Sequence, residues 1–245
     1  MKTTLSVAVT AAAALMYSIL TPAASAQTSP SVPVGWLTAN SSMVRAGTNP
    51  MLKWSISYPA TVVDYVTVTV PATVTPKQTL DMKVRVLGAG VTSSNANGSN
   101  LTFVPTEATI SVAGSSYQRI FYGNNNAVDP SRVVYSATVQ TGQPVRFGGR
   151  YFFNSAWGPN FTSTSGTNNV RTLVNGQTPP TTYPLYTAPT LENFIKPYLD
   201  STGKVKIGPM DVIVFMELTH TDAQADQQGY DLQDMVLLVT FDTKK

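Results

Sequence analysis

The sequence predicts an all-β protein, an antiparallel β-sandwich. Three observations carry that prediction. Between residues 52 and 147, apolar and polar residues alternate at period two in run after run, which places one face of each strand in a core and the other in water. Turn-forming sequences punctuate the runs: Gly47-Thr48-Asn49-Pro50, Asn97-Gly98, Asn124-Asn125-Asn126, Asp129-Pro130 and Thr141-Gly142. The 245 residues include no cysteine, so the fold rests on core burial alone, which about 200 ordered residues can supply.

The chain opens with a signal-peptide pattern. Lys2 is the charged start, Leu5 to Leu20 the apolar stretch, and Ala24-Ser25-Ala26 an A-x-A cleavage site. Pro22 interrupts any helix before that site. Residues 1–26 are therefore expected to be removed, leaving a protein that starts at Gln27 and is periplasmic, at the cell surface or secreted. Residues 27–35 are polar and proline-bearing and read as an extended leader. No later stretch approaches the ~18 apolar residues of a membrane span. Disulfide-free export fits a bacterial protein.

Residues 36–245 then read as one β-sandwich domain, the alternative being an Ig-like domain over 36–140 and a second β domain over 141–245. Leu52, Trp54, Ile56 and Tyr58 alternate with polar residues, which puts Trp54 in the core. Trp36 precedes this strand and is placed to seal its edge. Val66, Val68 and Val70 form the next strand, then Met82, Val84 and Val86, then Ile110 and Val112, then Val133, Tyr135, Ala137 and Val139. Val145 and Phe147 start a further strand, interrupted by Gly148-Gly149, a bulge or a close backbone approach. Residues 154–190 are a long irregular segment rich in Asn, Ser, Thr, Gly and Pro, with strand character only at Val170 to Val174.

Leu191, Phe194, Ile195, Tyr198 and Leu199 share one helical face, Thr190 is an N-cap and Pro197 limits the length, so one short helix is expected near 190–196. Val205 to Ile207 leads into Val212–Thr219, and Met235–Phe241 closes the pattern. The last two runs are apolar at both parities, as strands covered on both faces are. Strand number, alternation and Trp54 give an Ig-like or related impression. The Cys-Trp-Cys spacing of true immunoglobulin domains is absent, which leaves the topology open.

Nucleophile, phosphate-binding and zinc motifs are missing. His220 is the one histidine, and despite Asp222 and Asp226 nearby it reads as a loop residue. Asp222 and Asp226 are weak calcium candidates in a loop that reads as solvated, so no metal is expected. Nothing calls for a cofactor or identifies a catalytic residue. Tyr151, Trp157, Tyr183 and Tyr186 are candidate ligand-binding aromatics, able to stack on a sugar or to plug the end of the sandwich.

Charge is asymmetric. Residues 27–199 hold 11 Lys and Arg against 5 Asp and Glu, whereas 200–242 hold 2 against 8. Basic residues are scattered singly, which argues against nucleic acid. The expectation is an exported, non-catalytic β-sandwich with a structural or adhesive role at a bacterial surface or in the extracellular space. Self-association or a surface glycan would be its partner. A glycan-binding module is the alternative, and a carboxylate-based hydrolase a more distant one.

Overall fold

The structure, a computed structural model, describes residues 34–39, 52–57, 60–94, 101–179, 195–227 and 229–244. Chain order begins with β1 (Val34–Ala39), β2 (Leu52–Ser57), a single helical turn α1 (Val62–Tyr65), β3 (Val66–Thr69), β4 (Thr73–Pro76) and β5 (Leu80–Gly88). The middle of the chain forms β6 (Thr92–Ser93), β7 (Thr102–Phe103), β8 (Thr106–Val112), β9 (Gln118–Gly123) and β10 (Val133–Val139). Next come β11 (Val145–Phe153), β12 (Ala156–Trp157), β13 (Phe161–Thr162), β14 (Val170–Val174), β15 (Asp211–Met216) and β16 (Met235–Thr243).

Two antiparallel sheets form the sandwich. One runs β10-β5-β16-β15-β14; the other runs β3-β4-β11-β8-β9, with β12 and β13 paired onto β11. Val84, Val86, Val212, Val214, Leu237, Val239 and Phe241 of the first meet Val74, Ala108, Ile110, Val145 and Phe147 of the second in one buried core. β15 and β16 are apolar at both parities because the first sheet is covered on both faces. Their other parity, Ile213, Phe215 and Val236, packs under Ile195, Val205, Ile207, Tyr230 and Leu232 in a second buried cluster.

The glycine pair in β11 marks close approach rather than a bulge, because the β8–β11 register runs unbroken from Val112 to Thr106. A Cβ on Gly148 would lie 3.0 Å from the Phe161 carbonyl oxygen, and one on Gly149 3.1 Å from Met216 Sδ. Glycine lets β13 press on one face of the strand and the opposing sheet on the other.

Four expectations need correction. β15 ends at Met216 rather than Thr219, because the carboxylates of Glu217 and Asp234 capture the amides of residues 218–220 and turn the chain. Val205 forms an isolated bridge to Leu199 and exchanges backbone hydrogen bonds with the turn at Gly176 and Gln177, and Ile207 N–H donates to the Asn175 side chain, so 205–207 is not a strand. Residues 195–198 form a tight 3₁₀ turn that includes Pro197, whose missing N–H a helix start tolerates; 190–194 lie outside the described residues.

The fourth correction concerns the tryptophans. Trp54 is 67% exposed and Trp36 59%. Their strands pair only with each other, in a two-stranded sheet separate from the sandwich. The alternation is that of an amphipathic hairpin whose apolar face is not laid against the core.

Candidate functional site

Two groups of candidate side chains gather at the same end of the sandwich. The first lies on the outer face of the second sheet. Glu107 stands opposite Arg150 on β11 and Tyr122 on β9. The register of β8 and β9 slips by one residue between Ala108 and Thr109. That bulge leaves Ile120 extra and brings Arg119 and Tyr122, three apart, onto one face, which strict alternation forbids. Glu107 is nearly buried and is held by Arg119 Nε at 2.5 Å and Arg150 Nε at 3.0 Å.

Trp157, opposite Phe152 in β12, completes the patch. Arg150 Cζ lies 4.1 Å from its ring centroid, Phe152 at 5.1 Å and Tyr122 at 5.7 Å. One indole face is therefore taken by a guanidinium, a cation–π contact. Trp157 remains 37% exposed and Tyr122 46%.

The candidate aromatics do not form one site. Tyr151 has the core-facing parity of β11, and its ring packs where a Cβ on Gly158 would sit. Trp157 is on the opposite face of that sheet. Tyr183 and Tyr186 lie outside the described residues. Tyr122, Arg119, Arg150 and Glu107 were not anticipated. A lone glutamate among hydroxyl and apolar residues of a strand was the available signal, but its partners depend on the bulge.

The second group is the loop between β15 and β16. Carboxylate oxygens of Glu217, Asp231 and Asp234 lie within 4.8 Å of one another. Three oxygens so placed are the group that could hold a hard cation. They are, however, already engaged. Glu217 Oε1 accepts from Thr219 N–H, Thr219 Oγ1–H and His220 N–H, and Oε2 from Asp231 N–H. Asp234 Oδ2 accepts from Leu218 and Thr219 N–H at 2.7 and 3.2 Å. Burial, with Glu217 and Asp231 alongside, holds the Asp234 carboxyl well above the ordinary range. Burial likewise pushes Asp231 up to about 6. A protonated Asp234 carboxyl beside Glu217 fits this arrangement.

Asp222 and Asp226, the residues singled out from spacing, are not in that trio. Asp222 accepts from Asn168 N–H at 2.8 Å and Tyr230 O–H at 3.1 Å, which pins the loop, and Asp226 is exposed. His220 Nδ1 sits 2.7 Å from Thr219 Oγ1 and 3.4 Å from Glu217 Oε1. A nucleophile–base–acid relay needs the hydroxyl and the acid on opposite ring nitrogens. Here both crowd Nδ1, so the trio orders the loop.

Hydrogen bonds tie the two groups to one end. Gly90 N–H donates to the Asp234 carbonyl, Val104 to Val91, and Phe152 to Pro105. A shallow depression lined by Asp81, Lys83, Thr138 and Asp242 lies elsewhere on the first sheet. Its polar groups pair with each other, Lys83 with Asp242 and Thr138 with Asp81.

No family model, curated protein or solved structure matches this chain.

Proposed function

We propose that this chain is an exported, non-catalytic β-sandwich protein with a structural or adhesive role at a bacterial surface or in the extracellular space. The observation that carries the reading is the β1–β2 hairpin. It stands outside the sandwich and turns large apolar side chains to solvent, as a surface meant for a partner does. The carboxylates that come together support the reading from the other side, since they bind backbone amides of their own loop rather than line a cleft. A glycan-binding role is the second reading, favoured by the exposed indole of Trp157 beside Tyr122, with Tyr151 now excluded from that surface.

Fractionation of the native host, with terminal peptides sequenced by mass spectrometry, tests the proposal. The protein is expected in the envelope or the medium, starting at Gln27. A cytoplasmic protein that retains its Met1 peptide would overturn it. On a glycan array the protein is expected to show no retention; retention that Trp157→Ala abolishes would shift the conclusion to the second reading.

A further inference from the structure

The face of the hairpin is defined by its register. Leu37 pairs with Trp54, Gly35 with Ile56 and Ala39 with Leu52. Residues directly opposite in an antiparallel pair share a face, so one side of the hairpin is wholly apolar. The other side carries Trp36 with Ser55 and Thr38 with Lys53. On the apolar side Leu37, Leu52, Trp54 and Ile56 are 49–67% exposed. Their open area is on the order of 400–500 Å², over half of the ~800 Å² that one partner brings to a standard interface. An isolated two-stranded hairpin is marginal in water and gains its stability from a covered face.

The hairpin is tethered at one end of the sandwich. Only residues 58–61 separate β2 from α1, whose Val62 N–H donates to the Pro209 carbonyl just before β15 begins. The Trp157 patch and the acidic loop lie at the other end, beyond the point where β15 stops at Met216. The two ends are complementary in charge. Residues 34–57 contain Arg45 and Lys53 and no acid, whereas residues 217–234 contain five acids, one of them the buried and protonated Asp234, and no Lys or Arg. They are also complementary in character, since the partly exposed rings of Tyr122 and Trp157 leave a second apolar surface at the loop end. Arg119 and Arg150 in that patch share Glu107, which leaves one net positive charge there, so the attraction for a basic arm comes from the acidic loop beside it.

We infer that the occupant of the hairpin's apolar face is a second copy of this chain, which receives it head to tail on the Trp157 patch beside the acidic loop. Such a contact joins unlike surfaces, so each copy keeps a free hairpin or a free patch and assembly continues into a ring or filament. The inference rests on the structural reading above and specifies its partner.

Sedimentation velocity on protein purified after export from the full-length chain tests it. Two double variants are needed, Leu37→Ser with Trp54→Ser in the hairpin, and Tyr122→Ser with Trp157→Ser at the loop end. The wild type is expected to form species that grow with concentration and shrink as salt is raised. Each variant alone is expected to sediment as a monomer, with association at least tenfold weaker. An equimolar mixture is expected to give a one-to-one dimer and nothing larger, because it holds one intact surface of each kind. A loop-end variant that assembles like the wild type would show hairpin-on-hairpin contact, overturning the head-to-tail inference while leaving a self-assembling structural protein. A wild type that is monomeric at every concentration overturns the inference outright, and the location of the protein then decides the broader reading separately. Should a double variant fail to fold, charge reversal replaces it. Lys53→Glu and Asp226→Lys are each expected to weaken association, and mixing the two variants to restore it; no effect of either would overturn the placement.

Discussion

Ending the chain at Gly203 is expected to abolish cooperative folding rather than trim a tail. The deletion removes β15 and β16, which are interior strands: β16 lies between β5 and β15, and β15 between β16 and β14. Without them β14 loses its one strand partner among the described residues and β5 an entire edge of hydrogen bonds. Both buried clusters lose their centres, Val212, Val214, Met216, Leu237, Val239 and Phe241 from one and Ile213, Phe215 and Val236 from the other. Each such side chain contributes on the order of 2 kcal/mol, against a net stability of about 5–15 kcal/mol for a domain. About three to eight of them exhaust that margin. The remaining fragment from Gln27 carries 11 Lys and Arg against 6 Asp and Glu, so it also gains self-repulsion. Circular dichroism during a thermal scan is expected to show no cooperative transition. A 27–203 fragment that is soluble, monomeric and melts sharply would mean that these strands are a separable element.

Asp234→Asn is expected to stabilise the protein at pH 8 and to flatten its dependence on pH. In the folded chain Asp231 is pushed up to about 6 and Asp234 is held well above the ordinary range, both mainly by burial. The folded state therefore binds more protons than the unfolded one at pH values between the ordinary carboxyl range and these raised values. Where that holds, stability falls as pH rises. The contribution is fully present below about pH 4 and is lost as pH rises through about 6 and beyond. The shift of Asp231 from 3.8 to about 6 alone corresponds to about 3 kcal/mol, or about 6–12 °C in melting temperature for a chain of this size. Asp129 and Asp200 are held below the ordinary range by serine and threonine hydroxyls. Their share is lost only at more acid pH, outside the window from pH 5 to pH 8.

An asparagine at 234 reproduces the protonated acid. Its carbonyl oxygen can accept from Leu218 and Thr219 N–H, and its amide can donate toward Glu217, with no charge to bury. The wild type is expected to melt lower at pH 8 than at pH 5, and the variant to melt higher than the wild type at pH 8. Excess calcium is expected to leave the wild type unchanged. If instead Glu217, Asp231 and Asp234 hold a cation, calcium would raise the wild-type melting temperature and Asp234→Asn would lower it.

How much of this was legible depended on whether a feature is local. The sandwich class was readable because alternation at period two is a property of each strand by itself. The interior position of β15 and β16 was readable because both parities are apolar. Trp54 shows the limit of the same reasoning. Its parity identifies an apolar face, but nothing in a strand's own residues says whether that face meets the body or a different molecule. The patch around Trp157 depends on a one-residue bulge in β9, and Tyr151 fell on the opposite face from Trp157 because even spacing from Phe147 keeps it toward the core. The carboxylate trio was hidden for a different reason. Asp231 and Asp234 reach Glu217 only after the loop folds back, whereas Asp222 and Asp226 drew notice by mere closeness in sequence.

Hydrogen exchange measured at low and at high protein concentration tests the central claim most directly, that the hairpin's apolar face is covered by the loop end of another copy. Amide exchange reports local opening of each strand, and the hairpin amides can be compared in one sample with those of β15 and β16, which serve as an interior reference. At low concentration Gly35–Thr38 and Leu52–Ser57 are expected to exchange rapidly. At high concentration they are expected to slow together with residues 119–123 and 153–157, while β15 and β16 stay protected throughout. Hairpin amides that exchange at the same fast rate at both concentrations, or that slow without any change at 119–123 and 153–157, would contradict the account.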